Sequence, residues 1–333
     1  MELRAAVLGG GSWGTTVASV VSRNTPTVIW ARNPTTVAEI NEHHTNSAYL
    51  PDSRLSPRLR ATADFEEAVH FADVLFMGVP AQTFRNTLTE VARYIRPWVP
   101  VISLSKGLEV GTLKRMTEII EEILPGHPPG VLSGPNLARE IIAGSAAASV
   151  IAMEDEIIVR ELQDVFKSGL FRVYTNTDVV GCELGGALKN IIAIAVGMGD
   201  GLNAGDNTRA AVITRGLAEL TRLGLAMGGQ AATFAGLAGM GDLVATCTSP
   251  QSRNRHVGEK LGQGQSLDEI IAEMNMVAEG VKSVPAVIEL AERHDITLPI
   301  ANEVHRVIKG ESTPSHAFRG LIRQASGAES DPG

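Results

Sequence analysis

A lysine in the middle of an apolar run is the residue in this chain best placed to do chemistry. The stretch "DVVGCELGGALKNIIAIAVGMGDGLN", Asp178 to Asn203, reads as one long helix, apolar nearly all round and rich in small residues. Lys189 stands near its centre and Asn190 follows it. Burying an ammonium is costly unless it is paired or gives up its proton. A lysine so placed suits general acid–base work, or it snorkels its amine to water, and the helix alone leaves both readings open. Asp242, in the glycine-rich "GLAGMGDL", is either a carboxylate that orients an ammonium or a turn-forming aspartate. Lys106 ends the β-rich run "VPVISLSKG". It is either a surface loop lysine or a functional one at a carboxyl strand end, and that position favours the second. "SRNRH" opens a helix with Ser252 as N-cap. Arg253 and Asn254 beside that helix start make either a phosphate site or a basic surface turn.

The second chemical feature is "GGGSWG" after the apolar run Ala5 to Leu8. Gly9, Gly11 and Gly14 fit G-x-G-x-x-G between a buried-type strand and a helix. In that setting they permit the tight turn, the approach of a pyrophosphate and the packing of helix on strand. Free N–H groups at the helix start then favour an anion. The next strand, Thr27 to Ala31, ends in Ala31-Arg32-Asn33, where an NAD enzyme would place an acid. Arg32 either pairs with the 2′-phosphate of NADP or is an exposed loop arginine.

These groups need a frame. At 333 residues the chain is comfortable for two domains. Up to about Tyr174, strand-like runs such as "ADVLFMGVP", "VISLSKG", "GVLSGPN", "ASVIAM" and "FRVYTN" alternate with helical patterns. That alternation means an α/β, doubly wound, Rossmann-type sheet, mostly parallel, over residues 1–177. Ligands bind at the carboxyl ends of such strands, where "GVP", "SLSKG" and "SGPN" all lie. From about Asp178 the strand signals stop, so residues 178–333 form an all-α domain, with a disordered tail over about 325–333.

The formal net charge of −8 argues against nucleic acid as a partner. Two cysteines, Cys182 and Cys247, make no disulfide framework and suit a reducing compartment. The histidines show no metal-ligand spacing. No uninterrupted apolar stretch reaches about 18 residues, so no membrane span is expected. The chain enters a strand at once, which argues against a signal peptide. The composition describes a cytoplasmic enzyme or binding protein.

Taken in order, "GGGSWGTTVA", "WAR", "GVPAQ", "SLSKGLE", "SGPNLARE", "ELGGALKNIIAIAVG", "GMGDL" and "SRNRHVG" closely resemble bacterial-type NAD(P)-dependent glycerol-3-phosphate dehydrogenase, from the first strand to about Arg319. The resemblance implies reversible reduction of dihydroxyacetone phosphate to sn-glycerol 3-phosphate, feeding phospholipid synthesis. It implies a homodimer and NADP or NAD as cofactor, with a lean toward NADPH. Gly9, Gly11, Ser12, Trp13, Gly14, Arg32, Lys106, Ala138, Arg253, Val277 and Glu279 are then the cofactor contacts. Lys189 is the proton donor and acceptor, with Lys106 and Asp242 as catalytic partners. Lys106, Gly134, Asn136, Lys189, Asn190, Asp242, Thr246, Ser252, Arg253 and Asn254 line the substrate pocket.

The chain departs from the family pattern at Asn136-Leu137, where relatives carry a small hydroxyl residue and Phe, and at Asn33, where others place a basic residue. The first puts the substrate contact at Asn136 in question; the second weakens the case for NADP. A β-hydroxyacid dehydrogenase of the phosphogluconate type shares the glycine loop and a helical lysine but lacks the "GMGDL…SRN" pair. A non-catalytic NADPH-binding regulator would have lost Lys189 or Arg253, and both are present.

Overall fold

The computed structural model describes residues 3–274 and 278–323, and the chain divides into two compact units. The first comprises Met1–Lys106 and Lys114–Val179; the second comprises Gly107–Leu113 and Val180–Gly333. Eight strands build the first unit: β1 (Ala5–Leu8), β2 (Thr27–Trp30), β3 (Leu59–Thr62), β4 (Val74–Met77), β5 (Val101–Ser103), β6 (Pro129–Ser133), β7 (Ala147–Met153) and β8 (Phe171–Asn176). Between them run helices α1 (Ser12–Val21), α2 (Pro34–His43), α3 (Phe65–Phe71), α4 (Ala81–Val91), α5 (Met116–Ile123), α6 (Ala138–Ile142) and α7 (Glu156–Asp164). The second unit holds α8 (Val179–Gly201), α9 (Gly205–Ala226), α10 (Ala231–Ala235), α11 (Asp242–Thr248), α12 (Arg253–Gly262), α13 (Leu267–Glu273), α14 (Glu279–Arg293), α15 (Pro299–Ile308) and α16 (Pro314–Arg323). A π-helical turn, Leu237–Gly241, leads into α11.

The sheet order is β3-β2-β1-β4-β5-β6-β7-β8. Neighbours are parallel from β3 through β6, β7 is antiparallel to β6, and β8 is parallel to β7. The sheet is thus mostly parallel, as the alternating pattern required, with one reversal that the alternation does not reveal. The order in which successive strands are added reverses between β1 and β4, so their carboxyl ends form the topological switch point of a doubly wound sheet. β1 and β4 are buried on both faces, with Ala5 to Leu8 and Val74 to Met77 all at 0% exposure. Two apolar clusters cover the sheet, one around Val17, Ile40 and Phe76, the other around Leu8, Phe84 and Ile119. Strand β3 escapes sequence reading because "LRAT" carries Arg60 where an apolar run would mark a strand.

The second unit packs helices around α8. By length and composition α8 could cross a membrane, yet 94% of its most apolar window is buried inside the protein. Its neighbours Leu220, Leu223, Val257, Val284 and Val304 belong to the same core. Glycines set the spacing. A Cβ on Gly197 would lie 2.0 Å from the Arg255 carbonyl, and one on Gly258 2.0 Å from the Ile194 carbonyl. Backbone therefore lies against backbone where α8 meets α12.

Candidate active site

In the first unit, β1 delivers the chain into the glycine loop at the switch point. Gly9 has φ +123°, and a Cβ there would sit 2.4 Å from the Gly78 carbonyl oxygen at the end of β4. A Cβ on Gly14 would lie 2.2 Å from the Gly9 carbonyl. Both positions exclude any larger residue. Gly11 differs: nothing lies within 4 Å of a Cβ built there. It is the N-cap of α1 and supplies no side chain to the first-turn N–H groups. Trp13 Nε1 is buried with no hydrogen-bond partner among the described residues. An open glycine, an uncapped helix start and an orphaned indole N–H together fit a dinucleotide diphosphate.

Arg32 is exposed just ahead of α2. Asn33 is the N-cap of that helix, accepting from Thr35 N at 2.9 Å. The residue after Arg32 therefore serves the fold, which accounts for an amide where a second cation was looked for. Ala138 opens α6 beside α1: its carbonyl lies 3.4 Å from Thr16 Oγ1, which also donates to Ser12 O at 2.9 Å.

Lys106 follows β5 and Gly134 follows β6. Lys106 Nζ donates to the Gly134 carbonyl at 2.8 Å. Gly134 has φ +123°, and a Cβ there would press on Ser149 Cα at 3.2 Å. Two residues on, Asn136 has both amide atoms, Nδ2 and Oδ1, buried with no partner among the described residues. A donor and an acceptor left unmet side by side are what a polar ligand satisfies.

In the second unit, Lys189 is 5% exposed on α8. Its Nζ donates to Asp242 Oδ1 at 2.6 Å and to Thr246 Oγ1 at 2.5 Å. Asp242 and Thr246 stand one turn apart on α11, and the Thr246 hydroxyl in turn donates a hydrogen bond to the Asp242 carbonyl at 2.7 Å. Asp242 is 2% exposed. The ammonium does not snorkel; it ends in a buried ion pair, an arrangement that is affordable only when the geometry and accompanying hydrogen bonds are good. Gly185 permits it, since a Cβ there would lie 2.4 Å from the Ala238 carbonyl of the π turn that feeds α11.

Asn190 Oδ1 accepts from Asn254 Nδ2 at 2.9 Å, and Asn254 Oδ1 accepts from Gly280 N at 3.0 Å. Asn254 thus ties α8, α12 and the start of α14 together. Ser252 caps α12, accepting from Arg255 N at 3.2 Å. Arg255 Nε donates to Asp200 Oδ2 at 2.7 Å, fixing α12 on α8 a second time. Arg253 is exposed at the first position of α12, and Glu279 is half-buried at the first position of α14. Val277 lies outside the described residues, as does the tail over about 325–333.

Three residues that matter to this scaffold are not read from the chain pattern, and only the third leaves a signal there. Gly280 lets Asn254 approach, since a Cβ there would lie 2.7 Å from its Oδ1. Asn46 is buried against the glycine loop. Glu219, 4% exposed on α9, accepts from Ile300 N at 2.6 Å and Ala301 N at 3.2 Å, capping α15 from a distance. Its carboxyl is pushed up to about 7, first by burial, against the two backbone N–H groups that favour its charge. A glutamate among the apolar-face positions Val212, Gly216, Leu220 and Leu223 was the available signal. Burial likewise pushes the Cys247 thiol up to about 12, so it takes no part as a nucleophile.

A family model described as the NAD-dependent glycerol-3-phosphate dehydrogenase N-terminus matches residues 4–159, and one described as its C-terminus matches residues 178–319. The chain is 66% identical over 333 residues to a glycerol-3-phosphate dehydrogenase (NAD(P)+) 2 of Sphingopyxis alaskensis, covering 100% of both proteins. It is 58% identical to a glycerol-3-phosphate dehydrogenase (NAD(P)+) of Mycobacterium avium, across 98% of this chain and 96% of the relative. It matches the crystal structure of a glycerol-3-phosphate dehydrogenase from Coxiella burnetii with a TM-score of 0.92 at 35% identity, over 97% of this chain and 99% of the other. Two family models spread over both units, and relatives this close along the whole length, agree with the motifs: the chain belongs to the NAD-dependent glycerol-3-phosphate dehydrogenase family.

Proposed function

We propose that this chain reduces dihydroxyacetone phosphate to sn-glycerol 3-phosphate with NADPH or NADH, reversibly, and that Lys189 is its acid–base group. The observation that carries the residue assignment is the buried Lys189–Asp242–Thr246 cluster. The reduced nicotinamide, when bound, supplies the hydride to the ketone carbon. Lys189 donates a proton to the ketone oxygen as negative charge develops there, and bulk water reprotonates the amine afterwards. In the reverse direction the neutral amine takes the hydroxyl proton. Asp242 and Thr246 hold Nζ in one place, so little reorganisation is needed during the step.

Asn190 follows the lysine on α8 and is held by Asn254, and Arg253 with the start of the ten-residue helix α12 supplies positive potential for the substrate phosphate. Binding energy at that remote group is converted into orientation at the carbonyl. Ser252 serves mainly by capping that helix. Lys106, Gly134 and Asn136 are the first unit's proposed substrate contacts, with the unpartnered Asn136 amide as their support. Gly9, Gly11, Ser12, Trp13, Gly14, Arg32 and Ala138 in the first unit, with Lys106, Arg253, Val277 and Glu279, are the proposed cofactor contacts. Arg32 is exposed, where a 2′-phosphate could meet it, so we assign a lean toward NADPH.

We place the protein in the cytoplasm as a homodimer that supplies phospholipid synthesis. Two buried free cysteines fit a reducing compartment. Exposed Leu225, Met240 and Val244 in the second unit are surface that a subunit contact would cover.

The test is NADPH oxidation on addition of dihydroxyacetone phosphate, with NADH in parallel. Turnover with either supports the reaction, and the ratio of the two reports on Arg32. No oxidation with either, by folded protein that still binds NADPH, would defeat the substrate assignment.

A further inference from the structure

The loop between α2 and β3 carries a buried asparagine that neither the glycine pattern nor the mechanism accounts for. Asn46 is 0% exposed. Its Nδ2 donates to the Gly10 carbonyl and to Thr15 Oγ1, both at 2.9 Å. A carbonyl only accepts, so the amide nitrogen is the atom that faces Gly10. Asn46 is itself held firmly. Its carbonyl accepts from Leu50 N at 2.8 Å, and Leu50 lies in the first unit's core. Ser56 N donates to Ser19 Oγ at 2.8 Å, tying the far end of the same loop to α1.

The peptide between Gly10 and Gly11 is trans. Its C=O and N–H therefore point in opposite directions. Holding the Gly10 carbonyl on Asn46 aims the Gly11 N–H the other way. With glycine on both sides, no Cβ opposes rotation of this peptide as a unit. A rotated peptide would offer a carbonyl oxygen to an anion in place of a donor. Stiffening from within is closed at Gly10, because a Cβ there would lie 2.8 Å from Ala31 Cβ, and a side chain on Gly11, though no protein atom opposes its Cβ, would stand where the diphosphate is seated. The restraint has to come from elsewhere in the chain, and Asn46 is where the hydrogen bonds put it.

We propose that Asn46 is a positioning residue for the cofactor: it locks the Gly10–Gly11 peptide so that the Gly11 N–H is offered to the dinucleotide diphosphate. This rests on the reading that the glycine loop seats the diphosphate. Asn46 has no role in the hydride or proton step.

The experiment measures dissociation constants of the full-length protein for NADPH and for adenosine 2′-phosphate, which has no diphosphate, with melting temperature as a folding check. The variants are Asn46→Ala and the near-isosteric Asn46→Asp, which keeps the packing and loses the donor. A lost lock weakens NADPH by about tenfold or more and leaves adenosine 2′-phosphate within about twofold. NADPH affinity within about twofold of the parent in either folded variant overturns the proposal, and so does equal weakening of both ligands, which is what general loosening of the unit would give. Gly11→Asp separates the two readings, because a Cβ there has no protein atom within 4 Å and the added carboxylate repels a diphosphate. If Gly11→Asp keeps NADPH affinity, the diphosphate site itself is wrong; if it abolishes binding while the Asn46 variants do not, only the lock falls.

Discussion

Replacing both members of the buried ion pair, Lys189→Met with Asp242→Asn, separates what the pair does for the fold from what the lysine does for the reaction. Each single change strands one charge in a site where Lys189 is 5% and Asp242 2% exposed. Breaking one side of a buried pair costs about 3–5 kcal/mol. The double change removes both charges, and replacing a buried pair by well-packed uncharged groups of similar volume is often neutral or even stabilising. The cycle should therefore be non-additive by several kcal/mol in denaturant unfolding, as contacting residues are. Turnover follows a different rule. Loss of a general acid costs about a hundred- to ten-thousand-fold, or about 3–5 kcal/mol of barrier. The double variant should be as stable as the parent and bind NADPH as well, yet show kcat reduced by that factor at saturating NADPH and dihydroxyacetone phosphate. A stable double variant with near-parental kcat would refute the assignment of Lys189, and additive stability losses would refute the ion-pair reasoning.

Glu219 gives a prediction in pH. Its folded-state pKa of about 7 lies well above the ordinary glutamate value, so the folded protein holds this proton more tightly than the unfolded chain. The group's stabilising contribution is complete below about pH 4.5 and is lost as pH rises through 7, a change of about 3 kcal/mol for a shift of this size. The stability of the parent minus that of Glu219→Gln should fall by that order between pH 4.5 and 8; a pH-independent difference would sink the idea. Gly280→Ala places a Cβ 2.7 Å from Asn254 Oδ1 and 3.0 Å from the Asn190 carbonyl. We expect an overpacking loss of about 1–3 kcal/mol whatever Asn254 does, and a raised KM for dihydroxyacetone phosphate; an unchanged KM in the folded variant would make Asn254 idle in binding. Cys182 and Cys247 are both 0% exposed. A thiol reagent such as dithionitrobenzoate should leave both unmodified in the native protein and titrate both after unfolding; fast native labelling would contradict their burial.

What could be read from the chain is what depends on local contrast. Gly9, Gly11 and Gly14 sit between an apolar run and a helix, so their spacing alone located the loop, and the structure shows why 9 and 14 admit no side chain while 11 is open. Lys189 stood out because an ammonium interrupts an apolar helix. The helix left open whether its amine reaches water, since the answer lies on α11, 53 residues further on. Asn46 and Gly280 left no such mark. An asparagine in a polar loop and a glycine at a helix start are ordinary in sequence, and their meaning comes from one carbonyl and one amide brought beside them by tertiary folding. Asn33 shows the same limit from the other side. Read as a missing cation next to Arg32, it is accounted for locally by the N-cap of α2. A residue's absence of charge there says little about the cofactor, because helix capping sets its own demand for a short polar side chain. Cofactor preference must then be decided at Arg32 itself. Arg32→Ala should leave NADH affinity close to the parent's and weaken NADPH by about tenfold, the loss of one charge-assisted contact to a phosphate. Equal affinities for NADPH in the two proteins would make Arg32 a bystander and leave the 2′-phosphate to other groups.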